Sequence, residues 1–338
     1  MEARPKKQRK TEEDGGQNME LPPEIIEAIL SRVPVKPLCR FKLVSKSCLV
    51  AASTELDFVY SHLPNGRYSW CPVVPFSCHG LFMLPLHRWR ACDLSFILSN
   101  PVTEQSKKLP MTPIWGRRKA LQYFSLLRGL GFDYSTSEHK VIDGQYYKDD
   151  EIVFSVYTLQ TDSWRKIEYL FPYKGKASAS DGIVVHGAIH WLSRKLADGE
   201  LVIISFLLEE EKVEEIELPP NATGLRLGAF RNSLCLTSFS DSETYNEFWV
   251  MKEYGVREFW TKIKVSKPYN KLSHSGFWTE THDLIVFDMS SLVMYNFEDG
   301  TSWNLPIGDL DEDCFFGSVG VYVECLPSKV ETMFTIGR

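Results

Sequence analysis

The sequence predicts an α+β chain of two domains, a small N-terminal module of three helices followed by an all-β propeller of six blades. Three observations predict it. Residues 19–53 carry apolar side chains at helical spacing, punctuated by prolines. From Pro64 onward that periodicity is replaced by short β-rich runs, such as IVVHGAIHWL, ELVIISFLL, LGAFRNSLCLTSF and HDLIVFDM, with turn-forming polar clusters between them. Within this β-rich region a single hairpin-like phrase recurs at blade-sized intervals.

Taken in order, residues 1–18 hold almost no apolar side chain and predict a disordered tail, because little burial is available to offset the entropy of ordering. Lys6, Lys7, Arg9 and Lys10 form a compact basic cluster in it that suits a nuclear import signal, with a solvated charge run as the plain alternative. Residence in nucleus and cytoplasm follows from the first reading. Pro22 and Pro23 then precede EIIEAILSRV, where Ile25, Ile26, Ile29, Leu30 and Val33 share a helical face. Pro34 stops that helix. Pro37 opens a second, with Leu38, Phe41 and Val44 aligned, and Ser45 caps a third. Three short helices in about 35 residues cannot bury all these faces among themselves, so some of the surface is left for a partner or the next domain. ELDFVYSHL, ending at Leu63, predicts a helical connector to a propeller domain over residues 64–338.

The repeat is an apolar strand end, a polar turn, and a return strand closing on Ile or Leu. It reads YTLQTDSWRKI at 157–167, FLLEEEKVEEI at 206–216 and YNFEDGTSWNL at 295–305. VMKEYGVREFWTKI at 250–263 has a longer turn, and NPVTEQSKKLP at 100–110 is a fainter copy. The closing residues Leu109, Ile167, Ile216, Ile263 and Leu305 stand 42 to 58 residues apart, the interval of propeller blades. About 270 residues at about 45 per blade predict six. Trp164, Trp260 and Trp303 hold the equivalent repeat position, which predicts inter-blade packing rather than a ligand cage.

Composition narrows the function classes. Hydrophobic residues make up 43% and charged residues 24%, ordinary for a globular protein with a large core. A net charge of -6 argues against nucleic-acid binding along the whole chain. The eight cysteines include no Cys-x-x-Cys pair, which predicts reduced, mostly buried thiols. Residues 1–20 are polar and charged and predict no secretory leader. The apolar run Leu201–Leu208 is too short to cross a bilayer, so no membrane partner is expected.

The stretch LPPEIIEAILSRVPVKPLCRFKLVSKSCLVAAS resembles an F-box of the plant type, with its Leu-Pro, Ile-Leu, Pro-Val-Lys turn, Arg-Phe and Val-Ser-Lys-Ser pattern. The phrases CHGLFML, LSNPVTEQSKKLP, LGFDYSTSEHKVI, VYTLQTDSWRKI, VVHGAIHWLS and FWVMKEYGVREFWTKI resemble, in order, those of the kelch-like F-box-associated propeller domain. The two likenesses span about residues 20–305. They imply a substrate-recognition subunit that binds a Skp-type adaptor, and through it a cullin, and holds a protein substrate on the propeller for ubiquitination and degradation. Carried over position by position, the adaptor-facing residues are Leu21, Pro22, Ile25, Ile29, Leu30, Val35, Leu38, Phe41 and Val44. Cys48 stands where that family has tryptophan, and His186 where it has asparagine. An interaction scaffold acting outside the ligase is the alternative.

Catalytic readings find little support. Cys78-His79-Gly80 has no Gly-x-Ser-x-Gly elbow beside it, and neighbouring strand residues point to opposite faces. Gly129 and Gly131 form a bare Gly-x-Gly with no helix after it. His186 and His190 share a strand face by spacing, yet no further zinc ligands can be assigned. Arg117, Arg118 and Lys119 beside Trp115 suggest a loop that could meet a phosphate, more simply a protein or solvent. The expectation is therefore no catalytic residue, no cofactor and no metal, with the substrate-binding residues unassigned.

Overall fold

The computed structural model describes residues 76–304 apart from 89–92, 101–102, 104, 114–126, 147–150, 176–181, 221, 223, 279–280 and 288–290. Five antiparallel sheets follow one another along the chain, each a four-stranded meander of consecutive strands, with one extra edge strand in the third. The first holds β1 (Phe76–Cys78), β2 (Leu81–Arg88), β3 (Asp93–Asn100) and β4 (Gln105–Lys108). The second holds β5 (Leu127–Asp133), β6 (Glu138–Tyr146), β7 (Ile152–Thr158) and β8 (Ser163–Phe171). In the third, β9 (Tyr173–Gly175) and β10 (Ile183–Val185) share one edge of β11 (Ala188–Lys195), followed by β12 (Leu201–Leu207) and β13 (Val213–Ile216). The fourth holds β14 (Leu225–Phe230), β15 (Ser233–Ser238), β16 (Tyr245–Met251) and β17 (Trp260–Tyr269). The fifth holds β18 (Leu272–Trp278), β19 (Asp283–Phe287), β20 (Ser291–Tyr295) and β21 (Ser302–Asn304). The inner strands of successive sheets approach one another in the order β1, β5, β10, β14, β18. This is a five-bladed propeller.

That result corrects the expected α+β class. Among the described residues there is no α-helix, only a 3-10 turn at Arg257–Phe259, and the blades number five, not six. The expected three-helix module and its connector (19–63) and the tail (1–18) lie outside the described residues. The expected six came from dividing the whole of 64–338 by a blade length, whereas the five described sheets run from Phe76 to Asn304. The repeat itself had five copies. Each is the hairpin joining the third and fourth strands of one sheet: β3–β4, β7–β8, β12–β13, β16–β17 and β20–β21. Five sheets between residues 76 and 304 take roughly 45 residues each, the ordinary blade size.

The core is built between blades rather than within one mass. Phe76, Leu81, Met83, Phe96 and Leu98 of blade 1 pack on Leu130, Val141 and Tyr157 of blade 2. Ile142, Phe154 and Val156 of blade 2 meet Ile189, Trp191, Ile204 and Phe206 of blade 3. Similar layers join blades 3 and 4 through Leu192, Ile203, Leu234 and Leu236, and blades 4 and 5 through Phe248, Val265, Ile285 and Tyr295. A middle strand is covered on both faces, so it reads as a continuous apolar run. Every residue of β7 is buried. Each such Val, Leu, Ile or Phe contributes about 1.5–3 kcal/mol of transfer free energy.

Fourth strands are edges and alternate or turn polar, as in β8 and β17. Their registers also shift, between Val153 and Ser155 opposite β8 and between Tyr245 and Glu247 opposite β17. Such bulges, together with the exposed Lys262, Lys264 and Lys267, discourage another strand from pairing there.

The three repeat tryptophans occupy equivalent strands, β8, β17 and β21. Trp260 is buried, while Trp164 and Trp303 are half-buried. The inter-blade role has direct support at two of them. The Trp164 indole N–H donates to the Pro110 carbonyl (3.0 Å), and that of Trp260 donates to the Glu217 carbonyl (2.9 Å). Pro110 and Glu217 each follow the closing residue of the preceding repeat.

Candidate interaction surface

An antiparallel meander puts the turn after its first strand and the turn after its third at the same end of the sheet. Five blades therefore present five inner and five outer turns at one end of the propeller. The inner turns are tight. His79-Gly80, His186-Gly187 and Arg231-Asn232 all have positive φ at both positions (44° and 79°, 51° and 73°, 46° and 64°). Two-residue hairpin turns of this twist favour Asn-Gly, so histidine and arginine at the first position are costlier choices.

Each histidine turn meets a tyrosine of the next blade. The His79 imidazole stacks on Phe132 (4.5 Å between centroids), and its Nε2 is 2.8 Å from the exposed Tyr134 hydroxyl. Burial lowers the His79 pKa, which keeps the ring neutral near pH 7. His186 packs 5.0 Å from the Tyr254 ring. Beneath it lies His190, whose Nδ1–H donates to the Ile183 carbonyl (2.9 Å). Nε2 is then the acceptor and takes the Tyr254 hydroxyl proton at 2.6 Å, with the Ser205 hydroxyl 3.0 Å from Tyr254. Burial pushes the His190 pKa down to about 4. Arg231 of blade 4 grips Asp283 of blade 5 with two nitrogens at 2.8–3.1 Å.

The outer turns clasp the blade before them. Asp162 reaches Lys107 (3.0 Å), and Glu211 pairs with Arg165 and the buried Lys140. Lys140 Nζ also meets Asp133 (2.7 Å) and donates to the Leu208 carbonyl (2.7 Å). Tyr254 extends from the longest outer turn, and Tyr295, beside the last, accepts the Ser266 N–H at 2.7 Å. The result is a rigid end in which turns interlock across four blade boundaries.

Sequence reasoning located some of these groups and missed others. Leu21, Pro22, Ile25, Ile29, Leu30, Val35, Leu38, Phe41, Val44 and Cys48 lie outside the described residues, as do Lys6, Lys7, Arg9, Lys10 and the loop around Arg117. Cys78 lies at the end of β1 with His79 in the turn beside it. His186 and His190 do not share a strand, because His186 is an exposed turn residue and His190 a buried one in β11. Among the described residues no group of three potential metal ligands gathers. Gly129 and Gly131 serve packing: a side chain at 129 would meet Ile189 at 2.6 Å, and one at 131 would run into Leu208. Of the cysteines, Cys78 and Cys235 are described, and both are buried and outside any disulfide. Tyr134, Lys140 and Tyr254 were not foreseen. The one available signal was the unusual length of the turn that carries Tyr254.

Comparison with known proteins gives the family. Residues 53–302 match the F-box associated beta propeller domain and residues 19–55 match the F-box domain. The chain belongs to the F-box proteins with an F-box-associated propeller. F-box protein CPR1 of Arabidopsis thaliana is 24% identical over 319 residues, with 75% of each chain covered. The F-box/kelch-repeat protein At3g23880 of the same plant is 23% identical, covering 87% of this chain and 92% of its own. F-box protein At3g07870, also from Arabidopsis thaliana, is 30% identical over 55% of this chain, which spans about half of that relative's length.

Proposed function

We propose that this chain is the substrate-recognition subunit of a Skp-cullin-F-box ubiquitin ligase. Residues 19–53 bind the Skp-type adaptor and the propeller holds a protein substrate. The observation that carries this reading is the succession, in one chain, of an F-box match at 19–55 and a propeller match at 53–302. Ubiquitin transfer brings an activated thioester near a lysine, so a receptor contributes proximity rather than chemistry. The interlocked blades suit that task, since a rigid platform keeps a captured lysine in place. Ser205 and His190 are 3.2 Å apart but fully buried, and burial drives the Cys235 thiol pKa up, so these groups support packing roles. Residence in nucleus and cytoplasm, with Lys6, Lys7, Arg9 and Lys10 as the import signal, belongs to the same reading.

The test is copurification. The intact chain is expected to bring down the adaptor and cullin, and Leu30→Glu and Phe41→Glu are each expected to abolish both, since an unpaired carboxylate in an apolar contact is costly. Adaptor binding without cullin would favour a scaffold outside the ligase. Undiminished binding by both variants would reject the proposed face.

A further inference from the structure

We infer that the turn end of the propeller is the substrate-docking surface, and that it takes a lysine- and arginine-rich segment of the substrate. The inference deepens the receptor reading and rests on it. Charge carries it first. In the described inner and outer turns, Asp162, Glu210 and Glu211 are neutralised by Lys107, Lys212, Lys140 and Arg165, and Arg231 and Arg257 by Asp283 and Glu217. Glu209, Glu253, Glu258, Glu298 and Asp299 remain exposed with no ion-pair partner among the described residues, against Lys252 alone of opposite sign. These five carboxylates come from three different blades and stand at the outer turns.

The second observation is the set of aromatic side chains exposed at the same end. Tyr134 is 67% exposed and forms, with Phe132 and the neutral His79, an aromatic group at the inner turns. Phe259, 43% exposed, lies beside Glu258 on the outer rim. Ring faces attract ammonium and guanidinium groups, while acidic side chains at a distance draw them in. Exposed aromatic rings and carboxylates without ion-pair partners at the same end therefore fit a basic segment and disfavour an acidic one. The contacts of His79 with Phe132 and Tyr134 fix the aromatic group before binding, which lowers the ordering cost.

The test uses the full chain purified with its adaptor and a fluorescein-labelled decapeptide that alternates Arg-Lys with Gly-Ser. Binding is followed by anisotropy. The expected result is saturable binding that weakens as salt rises, with Kd raised at least about tenfold by Glu253→Lys, Glu258→Lys and Glu298→Lys together. Tyr134→Ala is expected to weaken it about threefold or more. Lys264→Glu, on an edge strand, is expected to leave Kd within about twofold. Equal or tighter binding of an Asp-Glu decapeptide, or indifference to the three glutamate reversals, would overturn the inference. So would binding seen only after Lys6, Lys7, Arg9 and Lys10 are replaced by glutamine, which would give the surface to the chain's own tail. Cullin copurification is scored on the same preparation. A chain that recruits cullin but ignores the basic peptide refutes this surface alone, and one that binds the peptide without recruiting cullin refutes the receptor reading alone.

Discussion

Lys140→Met is expected to destabilise the propeller by about 3–5 kcal/mol, the cost of leaving buried charges uncompensated. Lys140 is nearly inaccessible and meets Asp133 of its own blade and Glu211 of the next, each within 2.9 Å. Asp133 keeps its hydrogen bonds from Ser135 and Thr136, which with Lys140 hold its pKa well below the usual range. Glu211 keeps Arg165, a half-exposed partner. Removing the ammonium leaves two carboxylates facing the same buried space across a blade boundary. Denaturant unfolding reads the loss directly, and the thermal midpoint should fall by about 10 °C for a domain of this size. Adding Asp133→Asn and Glu211→Gln should recover some of it, because the unpaired charges rather than the missing methylenes cause the damage. A loss below about 1 kcal/mol in the single variant would mean that the clasp contributes little.

Acidification is expected to produce the second large effect, through three buried imidazoles. Burial holds the pKa of His139 and His190 near about 4 and that of His274 near about 3, against 6.5 when unfolded. Between these values the unfolded chain binds more protons than the folded one, so stability rises with pH in this window. The contribution is complete above pH 6.5 and is lost as the pH falls toward 4. At pH 5 each histidine accounts for roughly 2 kcal/mol. Asp133, Asp162 and Glu211, whose folded pKa values are lowered, act below their unfolded range near 4, while Asp283, raised by burial, offsets part of the histidine effect. Thermal midpoints at pH 7.5, 6 and 5 should fall steeply between the last two. His274→Phe should flatten the slope, since that ring already sits among Phe230, Phe248 and Phe297. A midpoint that is flat from pH 7.5 to pH 5 would contradict the buried neutral assignment.

These effects show what the sequence revealed and what it hid. The repeat was legible because every blade needs the same outer hairpin, and an apolar strand end, a turn and a closing Ile or Leu survive in five copies. The number of blades was not legible from length, because a division by blade length counts every residue as blade. The inner turns were read as strand, although glycine follows His79 and His186 and marks both as turns. Their function was not legible, because Tyr134 and Tyr254 meet these histidines from other blades at sequence separations of 55 and 68 residues. Reading His186 and His190 as one strand face failed for a local reason: a tight turn at positive φ interrupts the alternation at His186. The Lys140 clasp joins residues 71 positions apart, and nothing in a single sequence links such a lysine to its glutamate.

The most direct test of the receptor account compares the intact chain with one lacking residues 19–53, each fused to a proximity-labelling enzyme in plant cells with the proteasome blocked. The measured quantity is the ubiquitin-remnant signal on lysines of the proteins labelled by both. The account predicts that the same neighbours are labelled in the two cases and that their ubiquitination is lost with the deletion. Neighbours ubiquitinated equally by both chains would contradict it.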